Sequence, residues 1–342
     1  MINRSISDGL RFLQLATPKR VVNALRILGS YYISRLTSQP WHSGMPLAIS
    51  IEPTTSCNLR CPECPSGLRS FTRPTGMLDE KLYIKAVDEL ASRLWYLILY
   101  FQGEPYLHPQ FFSLVSYAAK KNIYTATSTN GHFLSPENAE KTVRSGLHRL
   151  IISIDGTTQE TYSSYRIGGK LEKVLEGAAN VIAARKRLKS KTPHVIFQFL
   201  VVRQNEHQTE EVKQLAKKMG VDEVGFKTAQ VYDYANGNDL IPENSRYSRY
   251  KKNKDGTYSI KNSLLNHCWK LWHSCVITWD GSVVPCCFDK DGWYKMGNLS
   301  HTKFSEIWAN KAYVDFRASL IRSRSGIEMC RNCTEGTSVW AD

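Results

Sequence analysis

Three cysteines lie close together in the sequence, at Cys57, Cys61 and Cys64, directly after the short apolar stretch of residues 47–51. Thiolate sulfur is the ligand of iron–sulfur clusters, and a cuboidal cluster takes cysteine at three or four of its corners. Three protein ligands would leave one iron open to another molecule, as a catalytic zinc site leaves one position open for substrate. Spacing alone also allows a zinc site or cysteines that bind no metal.

The composition is that of an ordinary globular protein, except for its many cysteines. The chain has 342 residues, of which 42% are hydrophobic and 22% are charged, and this is enough for one large domain and a small one. No continuous apolar segment with a cleavage site follows Met1, so we expect no signal peptide and a cytoplasmic location. Because disulfides are rare there, the nine cysteines are better assigned to metal.

The net charge of +14 indicates an acidic partner without identifying it. An anionic substrate, a phospholipid surface or nucleic acid would each suit a basic protein. The aromatic and basic stretch at residues 247–252 is similar to a strip that binds single-stranded nucleic acid. No helix-turn-helix, RNP or zinc-finger pattern accompanies it, so we expect no specific nucleic-acid binding.

From residue 47 onwards, short apolar stretches alternate with helical patterns. The predicted strands lie near residues 48–52, 95–101, 123–128, 149–154, 195–202 and 222–227. The predicted helices lie near residues 79–92, 109–121, 136–145, 171–188 and 207–219. Such apolar runs are typical of parallel strands that are covered on both faces and joined by right-handed crossovers. We therefore predict an α/β fold, a partial (β/α)6 TIM-like barrel, whose chemistry lies at the C-terminal ends of its strands.

Polar and glycine-rich residues follow the predicted strands, on the rim where the three cysteines also lie. They are Gln102, Gly103 and Glu104 after the second strand, Ser128 and Asn130 at the third, Ser153 and Asp155 at the fourth, residues 203–205 after the fifth and Lys227 at the sixth. One glycine-bearing turn is weak evidence, because loops need glycine in any case. Its repetition beside the cysteines indicates a binding site.

The C-x3-C-x2-C motif and this rim resemble the radical S-adenosylmethionine (radical SAM) superfamily over about residues 48–230. The resemblance implies that Cys57, Cys61 and Cys64 hold a 4Fe–4S cluster whose open iron binds SAM. It also implies that an electron from the cluster breaks SAM to give a 5′-deoxyadenosyl radical, which takes hydrogen from a substrate. The sequence departs from the family at Glu63, where many members have an aromatic residue.

The resemblance also assigns residues to SAM. In the family, a glycine–glutamate turn pairs with the amino group of SAM, and later strand ends face its ribose and carboxylate. The corresponding residues are Gln102, where the family has glycine, Gly103 and Glu104 for the turn, Ser128, Asn130, Ser153 and Asp155 for the strand ends, and Arg166 for the carboxylate. A guanidinium suits a carboxylate because two parallel hydrogen bonds form. Simpler alternatives are a surface ion pair for Arg166 and a cap for Asp155.

A second group of cysteines follows residues 231–265, a polar and turn-rich stretch that we predict to be a linker. Residues 276–285 are typical of a β-hairpin, with its turn at Asp280 and Gly281. The cysteines beside this hairpin and in the CxxC motif that follows are Cys268, Cys286, Cys330 and Cys333. Four thiolates suit zinc as well as an iron–sulfur cluster, so the residues alone leave both open.

This region is similar to the SPASM domain of many radical SAM enzymes, in its shortened, twitch-like form. The resemblance implies a small C-terminal α+β iron–sulfur domain with one auxiliary 4Fe–4S cluster. Its implied ligands are Cys268, Cys286, Cys330 and Cys333. Cys275 is an alternative to Cys268 as the fourth ligand, and Cys287 is expected to be a bystander.

The predicted organisation has four parts, which are a basic helical segment (1–46), a radical SAM core (47–230), a linker (231–265) and a SPASM or twitch domain (266–342).

Residues 18–36 predict a basic amphipathic helix, with an apolar stripe at Val21, Val22, Leu25, Leu28, Tyr32 and Leu36. Two alternatives stay open for this helix. It packs across the enzyme's own barrel, or it makes peripheral contact with the inner face of a membrane.

The resemblance implies a radical SAM oxidoreductase in which the auxiliary cluster assists dehydrogenation or cross-linking. A nearby base would remove a proton, and Asp289 is the candidate. The preferred substrate is a small sugar-like, anionic or lipid-linked molecule, because about 47 residues before the core are too few for the peptide-binding domain of many maturases.

Two alternatives to that function stay open. The first is a peptide or protein maturase of the ribosomal-peptide or sulfatase type. The second is not an enzyme but an iron–sulfur electron carrier or scaffold. If the chain is an enzyme, a reductant such as flavodoxin or ferredoxin is its expected partner.

Overall fold

The computed structural model describes the backbone of residues 2–339 and the side chains of residues 6–339. Six parallel strands, each hydrogen-bonded to the next in chain order, form its central sheet. They are β1 (Ala48–Ile51), β2 (Tyr96–Ile98), β3 (Tyr124–Thr129), β4 (Arg149–Ser153), β5 (His194–Val201) and β6 (Glu223–Thr228). Each lies where the sequence predicts a strand, and their order confirms the predicted partial barrel. The outer limits of the predicted domains, at residues 1 and 340–342, lie outside the described residues.

Helices cover the outside of the sheet. Up to the sixth strand they are α1 (Ile2–Gln14), α2 (Pro18–Thr37), α3 (Pro65–Leu68), α4 (Glu80–Leu90), α5 (Phe111–Lys120), α6 (Pro136–Arg144), α7 (Gln159–Tyr165), α8 (Leu171–Arg187) and α9 (Thr209–Met219). Local chemistry sets their limits. The Asp79 side chain caps the first turn of α4, and Gly220 ends α9 in the left-handed conformation.

The apolar core lies between the sheet and these helices. The central strands contribute Leu97, Ala126, Leu150, Ile152 and Phe197, all of which are almost completely buried. Burial on both faces explains why most of these strands are nearly continuous apolar runs in the sequence. Strand β3 differs, because it buries Thr125, Thr127 and Thr129.

The stretch predicted as a linker contains ordered structure. Strands β7 (Tyr250–Lys252) and β8 (Tyr258–Ile260) form a separate antiparallel hairpin. The C-terminal region then adds β9 (Ser274–Ile277), β10 (Ser282–Val284) and β11 (Gly297–Asn298), with α10 (Lys270–His273), α11 (Phe304–Ala309), α12 (Lys311–Arg322) and α13 (Glu328–Arg331). This region has the small α+β character that was predicted.

The C-terminal region is joined to the barrel through one continuous sheet. Strand β9 pairs in parallel with β1, and β10 and β11 extend the sheet in the antiparallel sense. The predicted hairpin is present between β9 and β10. Gly281 in its turn has a positive φ of 80°, a conformation that glycine adopts without strain.

The two N-terminal helices lie across the N-terminal ends of the strands, a region called here the barrel floor. The Asp8 carboxylate accepts hydrogen bonds from Tyr124 at the start of β3 and from Arg149 at the start of β4. The Phe12 ring stacks on Trp95, just before β2, with 5.0 Å between centroids. Within residues 2–339, no helix combines the length and the apolar character needed to cross a bilayer.

Helix α2 does pack across the barrel, as one of the two alternatives predicts, but it does so through its polar side. Its buried residues are Arg20, Asn23, Ile27, Ser30, Tyr31 and Ser34. The apolar stripe read from the sequence is mostly exposed. The periodicity therefore predicted the helix, while the choice of the face that packs needed the structure.

Candidate iron–sulfur centres

The cysteines of the C-x3-C-x2-C motif lie in one loop that leaves the C-terminal end of β1. Cys61 is buried, and Cys57 and Cys64 are half-buried in the same cluster of side chains. The loop is tight, because a Cβ atom at Gly67 would lie 2.6 Å from the Cys61 backbone nitrogen. Glycine at this position lets the loop close and holds the three thiols together.

Burial determines the protonation of these thiols. It raises the pKa of Cys57 to about 11, and it also raises the pKa of Cys61, although the nearby Arg166 guanidinium opposes that shift. In the metal-free chain both thiols are therefore protonated at neutral pH. Iron binding must release these protons, so it is expected to strengthen as the pH rises.

The turn after β2 is pressed against the cysteine loop. Gly103 has a positive φ of 73°, and a Cβ atom there would lie 2.3 Å from the Thr54 carbonyl oxygen. Its N–H donates to the Ser66 hydroxyl at 2.9 Å. This close approach explains the glycine and brings the predicted glycine–glutamate turn beside the cysteines.

The two neighbours of Gly103 have different roles. The thiol of Cys64 lies 3.9 Å from Gln102 Oε1. The buried Glu104 carboxylate accepts hydrogen bonds from the Asn130 N–H and the Thr129 hydroxyl, both at 2.7 Å. Burial raises the pKa of Glu104 to about 7, and these hydrogen bonds oppose the shift. The Glu104 side chain thus fastens the end of β3 to the end of β2.

Of the polar residues at the ends of β3 and β4, Asn130 approaches the cysteine loop most directly. Its amide donates to Asn58 Oδ1 at 2.7 Å and lies 3.9 Å from Cys57 Sγ. Ser128 is half-buried in β3, and Ser153 is buried at the end of β4. All three residues lie towards the C-terminal ends of their strands, where the sequence predicted them.

Asp155 and Arg166 form a buried ion pair beside the cysteines. Arg166 Nε donates to one carboxylate oxygen at 2.5 Å, and the Leu200 N–H donates to the other at 2.7 Å. The Asp155 side chain is fully buried and that of Arg166 is 16% exposed, so the pair is not on the surface. Arg166 Nη1 lies 3.7 Å from Cys61 Sγ, which places a fixed positive charge next to a predicted iron ligand.

A contact beside the third cysteine was not predicted from the sequence. The Glu63 carboxylate accepts the N–H of Tyr232 at 3.0 Å, and the Tyr232 hydroxyl accepts a hydrogen bond from Lys290 Nζ at 2.9 Å. Burial lowers the pKa of Lys290, and the nearby Cys64 and Glu63 oppose this shift. The unusual Glu63 was the only signal in the sequence, because its partner lies 169 residues further along the chain.

The C-terminal region provides the second group of thiols. One cavity is lined by Cys268, Cys286, Cys330 and Cys333. Apolar side chains such as Phe288 and Met329 form much of the remaining lining, and Arg324 Nη2 lies 3.2 Å from Cys333 Sγ. Burial raises the pKa of Cys330 to about 12 and that of Cys333 to about 11.

The structure separates the four cavity cysteines from the other two in this region. Cys268 Sγ faces the cavity and lies so close to Gly336 that a Cβ atom there would be 2.4 Å away. Cys275 is buried in the core near Tyr313 and does not line the cavity. Cys287 packs against a small apolar cluster. The geometry thus favours Cys268 over Cys275 as the fourth ligand.

Both donor sets suit a cluster better than a single ion. Among the residues that the structure describes, no three Cys, His, Asp or Glu side chains gather closely enough to hold one metal ion. A cuboidal cluster holds its cysteine ligands further apart than one zinc ion does, because each ligand binds a different iron. Four thiols around a largely apolar cavity fit such a cluster.

Asp289 does not have the geometry of a base. Its two carboxylate oxygens accept the N–H groups of Trp293 and Tyr294, both at 2.8 Å, and the residue is 2% exposed. The carboxylate therefore caps its own loop, with both oxygens already hydrogen-bonded. We correct the sequence-based prediction accordingly.

Comparisons with known proteins agree with both centres. Residues 51–216 match the model of the radical SAM superfamily, and residues 268–334 match that of SPASM, an iron–sulfur cluster-binding domain. Both matches fall within the limits predicted for the two domains.

Two relatives align along most of the chain. AdoMet-dependent heme synthase of Methanosarcina barkeri is 24% identical over 303 residues, which cover 78% of this chain and 82% of that protein. PqqA peptide cyclase of Gluconobacter oxydans is 27% identical over 315 residues, covering 86% of this chain and 84% of the relative.

Among solved structures, SuiB of Streptococcus suis bound to S-adenosylmethionine superposes with a TM-score of 0.63 at 13% identity. The match covers 88% of this chain and 75% of SuiB, and it shows a shared fold. The chain belongs to the radical SAM superfamily and carries a SPASM domain, so it is an enzyme that binds SAM, a 4Fe–4S cluster and auxiliary iron–sulfur.

Proposed function

We propose that this radical SAM enzyme abstracts hydrogen from a peptide or protein substrate and then oxidises or cross-links it. The sequence alone favoured a small sugar-like, anionic or lipid-linked substrate. The relatives support the peptide alternative at least as well, since one of them is named a peptide cyclase. Another is named a heme synthase, so likeness alone does not decide the substrate.

The observation that carries the proposal is an apolar rim around the cysteine loop. Its members are Leu68, Ile167, Tyr232 and Trp293, each at least 46% exposed. A small polar molecule would leave this rim in water, whereas an extended peptide can cover several apolar side chains at once. Exposed apolar groups that cluster beside a site are typical of an interaction surface.

Contacts within the described residues tie Ile167, Leu68 and Tyr232 of the apolar rim to the loop. The Ile167 carbonyl accepts the N–H of Arg60 at 2.9 Å, and Leu68 ends the helix that begins after Cys64. The hydrogen bond from Tyr232 to Glu63 brings the third member to the loop. Trp293 lies three residues after Lys290, which is bonded to Tyr232.

We assign the ligands as follows. Cys57, Cys61 and Cys64 hold the SAM-binding cluster, and Cys268, Cys286, Cys330 and Cys333 hold one auxiliary cluster in a twitch-like domain. When bound, the first cluster and SAM supply the 5′-deoxyadenosyl radical. A reductant such as flavodoxin or ferredoxin provides the electron. The core and auxiliary domains extend over residues 47–230 and 266–342, with the structured connection at 231–265.

The chain's own residues bind and orient SAM in this proposal. The turn at Gln102, Gly103 and Glu104 presents its backbone to the amino group, and Ser128, Asn130, Ser153 and Asp155 shape the pocket. Arg166 supplies the positive charge for the SAM carboxylate. Because Asp155 already holds its Nε, the guanidinium is fixed before SAM arrives.

The test is anaerobic SAM cleavage by the reconstituted enzyme with dithionite, measured as 5′-deoxyadenosine. Peptide-sized and small-molecule fractions of a cell extract are added separately, before and after digestion with a protease that is then inactivated. We expect stimulation by the peptide fraction that digestion removes. Stimulation by the small-molecule fraction that survives digestion would overturn the peptide assignment.

Variants of the apolar rim make the test specific to the site. Trp293→Ala and Tyr232→Ala should raise the KM for the stimulating fraction several-fold and leave SAM cleavage without substrate unchanged. The matched control is Val314→Ala, which truncates an exposed apolar residue on α12. If all three variants behaved alike, the apolar rim would not bind the substrate.

A further inference from the structure

Helix α2 buries Ile27 and Tyr31 in the core together with polar residues, and it also leaves a second apolar stripe exposed. Val22, Leu25, Ile33 and Leu36 are between 49% and 86% exposed, and their spacings of three, eight and three residues place them on one side of the helix. A surface helix of a globular protein normally buries such a stripe. Here the stripe faces away from the protein.

The buried side of α2 is held by polar contacts. Arg20 donates to the carbonyls of Asn122 at 2.6 Å and Ala91 at 3.0 Å, in the loops that precede β3 and β2. The Asn23 amide donates to the Met45 carbonyl at 2.7 Å and accepts the Met45 N–H at 2.8 Å. These contacts fix the orientation of the helix, so the fold itself determines that the apolar stripe is exposed.

Helix α1 and the segment after α2 also expose apolar side chains. Ile6, Leu10 and Leu13 recur at helical spacing on α1, and each is at least 55% exposed. Trp41 is 60% exposed. We call the exposed apolar residues of α1, α2 and Trp41 the floor surface. They make up the majority of the exposed large apolar side chains of the described chain.

The charge around the floor surface has one sign. Residues 9–51 contain no Asp or Glu, and exposed cations of α2, Lys19, Arg26 and Arg35, flank the apolar stripe on its two sides. An apolar stripe with basic borders and an exposed tryptophan fits the boundary between the acyl chains and the head groups of an anionic bilayer.

We propose that the floor surface docks on an anionic phospholipid membrane, so that the enzyme is a peripheral membrane protein. A second copy of the chain fits less well. A twofold interface would bring the same basic borders of two protomers together, with no acidic residue from this segment to neutralise them. A lipid surface supplies negative charge along the whole border.

The position of the floor surface fixes the orientation of the bound enzyme. Helices α1 and α2 contact the N-terminal ends of the strands, whereas the loop with Cys57, Cys61 and Cys64 leaves the C-terminal end of β1. A docked enzyme therefore turns its apolar rim away from the lipid. Such an enzyme suits a substrate that arrives from the aqueous side, which agrees with the peptide proposal but does not depend on it.

The test is flotation of the full-length reconstituted enzyme with vesicles of phosphatidylglycerol and phosphatidylcholine, compared with vesicles of phosphatidylcholine alone. We expect the anionic vesicles to recover more enzyme by a factor on the order of tenfold, and high salt to reduce that factor. The double variant Leu25→Glu with Leu36→Glu should lose about tenfold in partitioning. Lys19→Glu with Arg26→Glu should lose the preference for anionic lipid.

Matched controls carry the same chemical changes at other exposed helix positions. They are Val314→Glu on α12 and Lys217→Glu on α9, and both should bind vesicles like the unmodified chain. Iron content and 5′-deoxyadenosine formation without vesicles should be equal in all variants. Equal flotation of the Leu25/Leu36 variant and the unmodified chain would overturn the proposal. So would a dimer in solution that this variant splits, with no vesicle binding by either protein.

Discussion

The two cysteine centres differ in how the chain assembles them. The first takes Cys57, Cys61 and Cys64 from one short loop after β1. The second gathers Cys268 from before α10, Cys286 from after β10, and a cysteine pair around α13 into one cavity. A local centre needs only its loop, whereas a dispersed centre needs the fold of the whole C-terminal region.

This difference affects how much each centre stabilises the fold and how easily each is recognised in the sequence. Metal bound by ligands from distant segments stabilises the fold directly, because those segments are far apart in the unfolded chain. Metal bound within one loop contributes less to global stability and more to function. The same difference explains why the cysteines of the first centre can be grouped from their spacing, although spacing alone also allows zinc, while grouping those of the second needed a resemblance or a structure.

Loss of the local centre is the largest expected effect. Replacing Cys57, Cys61 and Cys64 together by Ala should lower 5′-deoxyadenosine formation by at least about a thousandfold, because the variant lacks the ligands of the SAM-binding cluster. Iron and sulfide analysis should find the auxiliary cluster intact and thermal stability only slightly changed. Retained cleavage in this variant would contradict the assignment. The matched control is Cys287→Ala, which should keep both SAM cleavage and the auxiliary cluster.

Loss of the dispersed centre should mainly lower the stability of the fold. Cys268→Ala should lose the auxiliary iron and lower the free energy of unfolding by about 3 kcal/mol or more, because the segments around the cavity are no longer tied together. Cys275→Ala truncates a buried core residue and should cost about 1 kcal/mol with iron retained. Iron analysis and thermal unfolding distinguish the two variants. If Cys275→Ala lost the auxiliary iron and Cys268→Ala kept it, Cys275 and not Cys268 would be the fourth ligand.

The ion pair beside the local centre should affect both stability and SAM binding. Asp155→Asn leaves the Arg166 guanidinium without its charged partner, so the free energy of unfolding should fall by about 3 kcal/mol and the KM for SAM should rise. The control is Asp222→Asn, because Asp222 is also a buried partner of an arginine, Arg185, and also accepts a backbone N–H, that of Val195. That variant should lose stability and keep its KM for SAM; an equal change of KM in both would show that the effect is only structural.

The last expected effect, which is confined to stability, is a pH dependence at Glu104. Burial raises its pKa to about 7 from an ordinary value of 4.5, so the folded chain holds this proton more tightly than the unfolded chain does. The contribution is fully present below the ordinary pKa and is lost as the pH rises through about 7, by an amount on the order of 3 kcal/mol. Urea unfolding of the parent and of Glu104→Gln at about pH 5 and about pH 8 measures it. The parent should lose stability relative to the variant over that range; a constant difference would contradict the shift.

The sequence predicted the barrel well because its signals are local. Most strands from β1 to β6 contain a short apolar run, and most of the helices between them have clear periodicity, so the spacing of these segments predicted their order and limits close to those observed. The cysteine loop and the turn at Gly103 were equally accessible, since each is contiguous in the chain.

What the sequence could not give depends on contacts between distant segments. The contact of Glu63 with Tyr232 joins positions far apart in the chain, and the unusual Glu63 does not by itself indicate its partner. Asp289 was taken for a base because an acid beside a cysteine pair suits that role, but its carboxylate caps a loop. The packing of α2 through its polar side could not be predicted, since periodicity gives a stripe but does not say which side meets the barrel.

The most direct test of the central claim is electron paramagnetic resonance of the dithionite-reduced enzyme with and without SAM. An iron that lacks a protein ligand in the local centre should bind SAM and change the signal of that cluster, while the auxiliary signal should stay the same. The variant without Cys57, Cys61 and Cys64 should show only the signal that SAM does not affect. A SAM-sensitive signal that persists in this variant, or a parent spectrum that SAM leaves unchanged, would contradict the account.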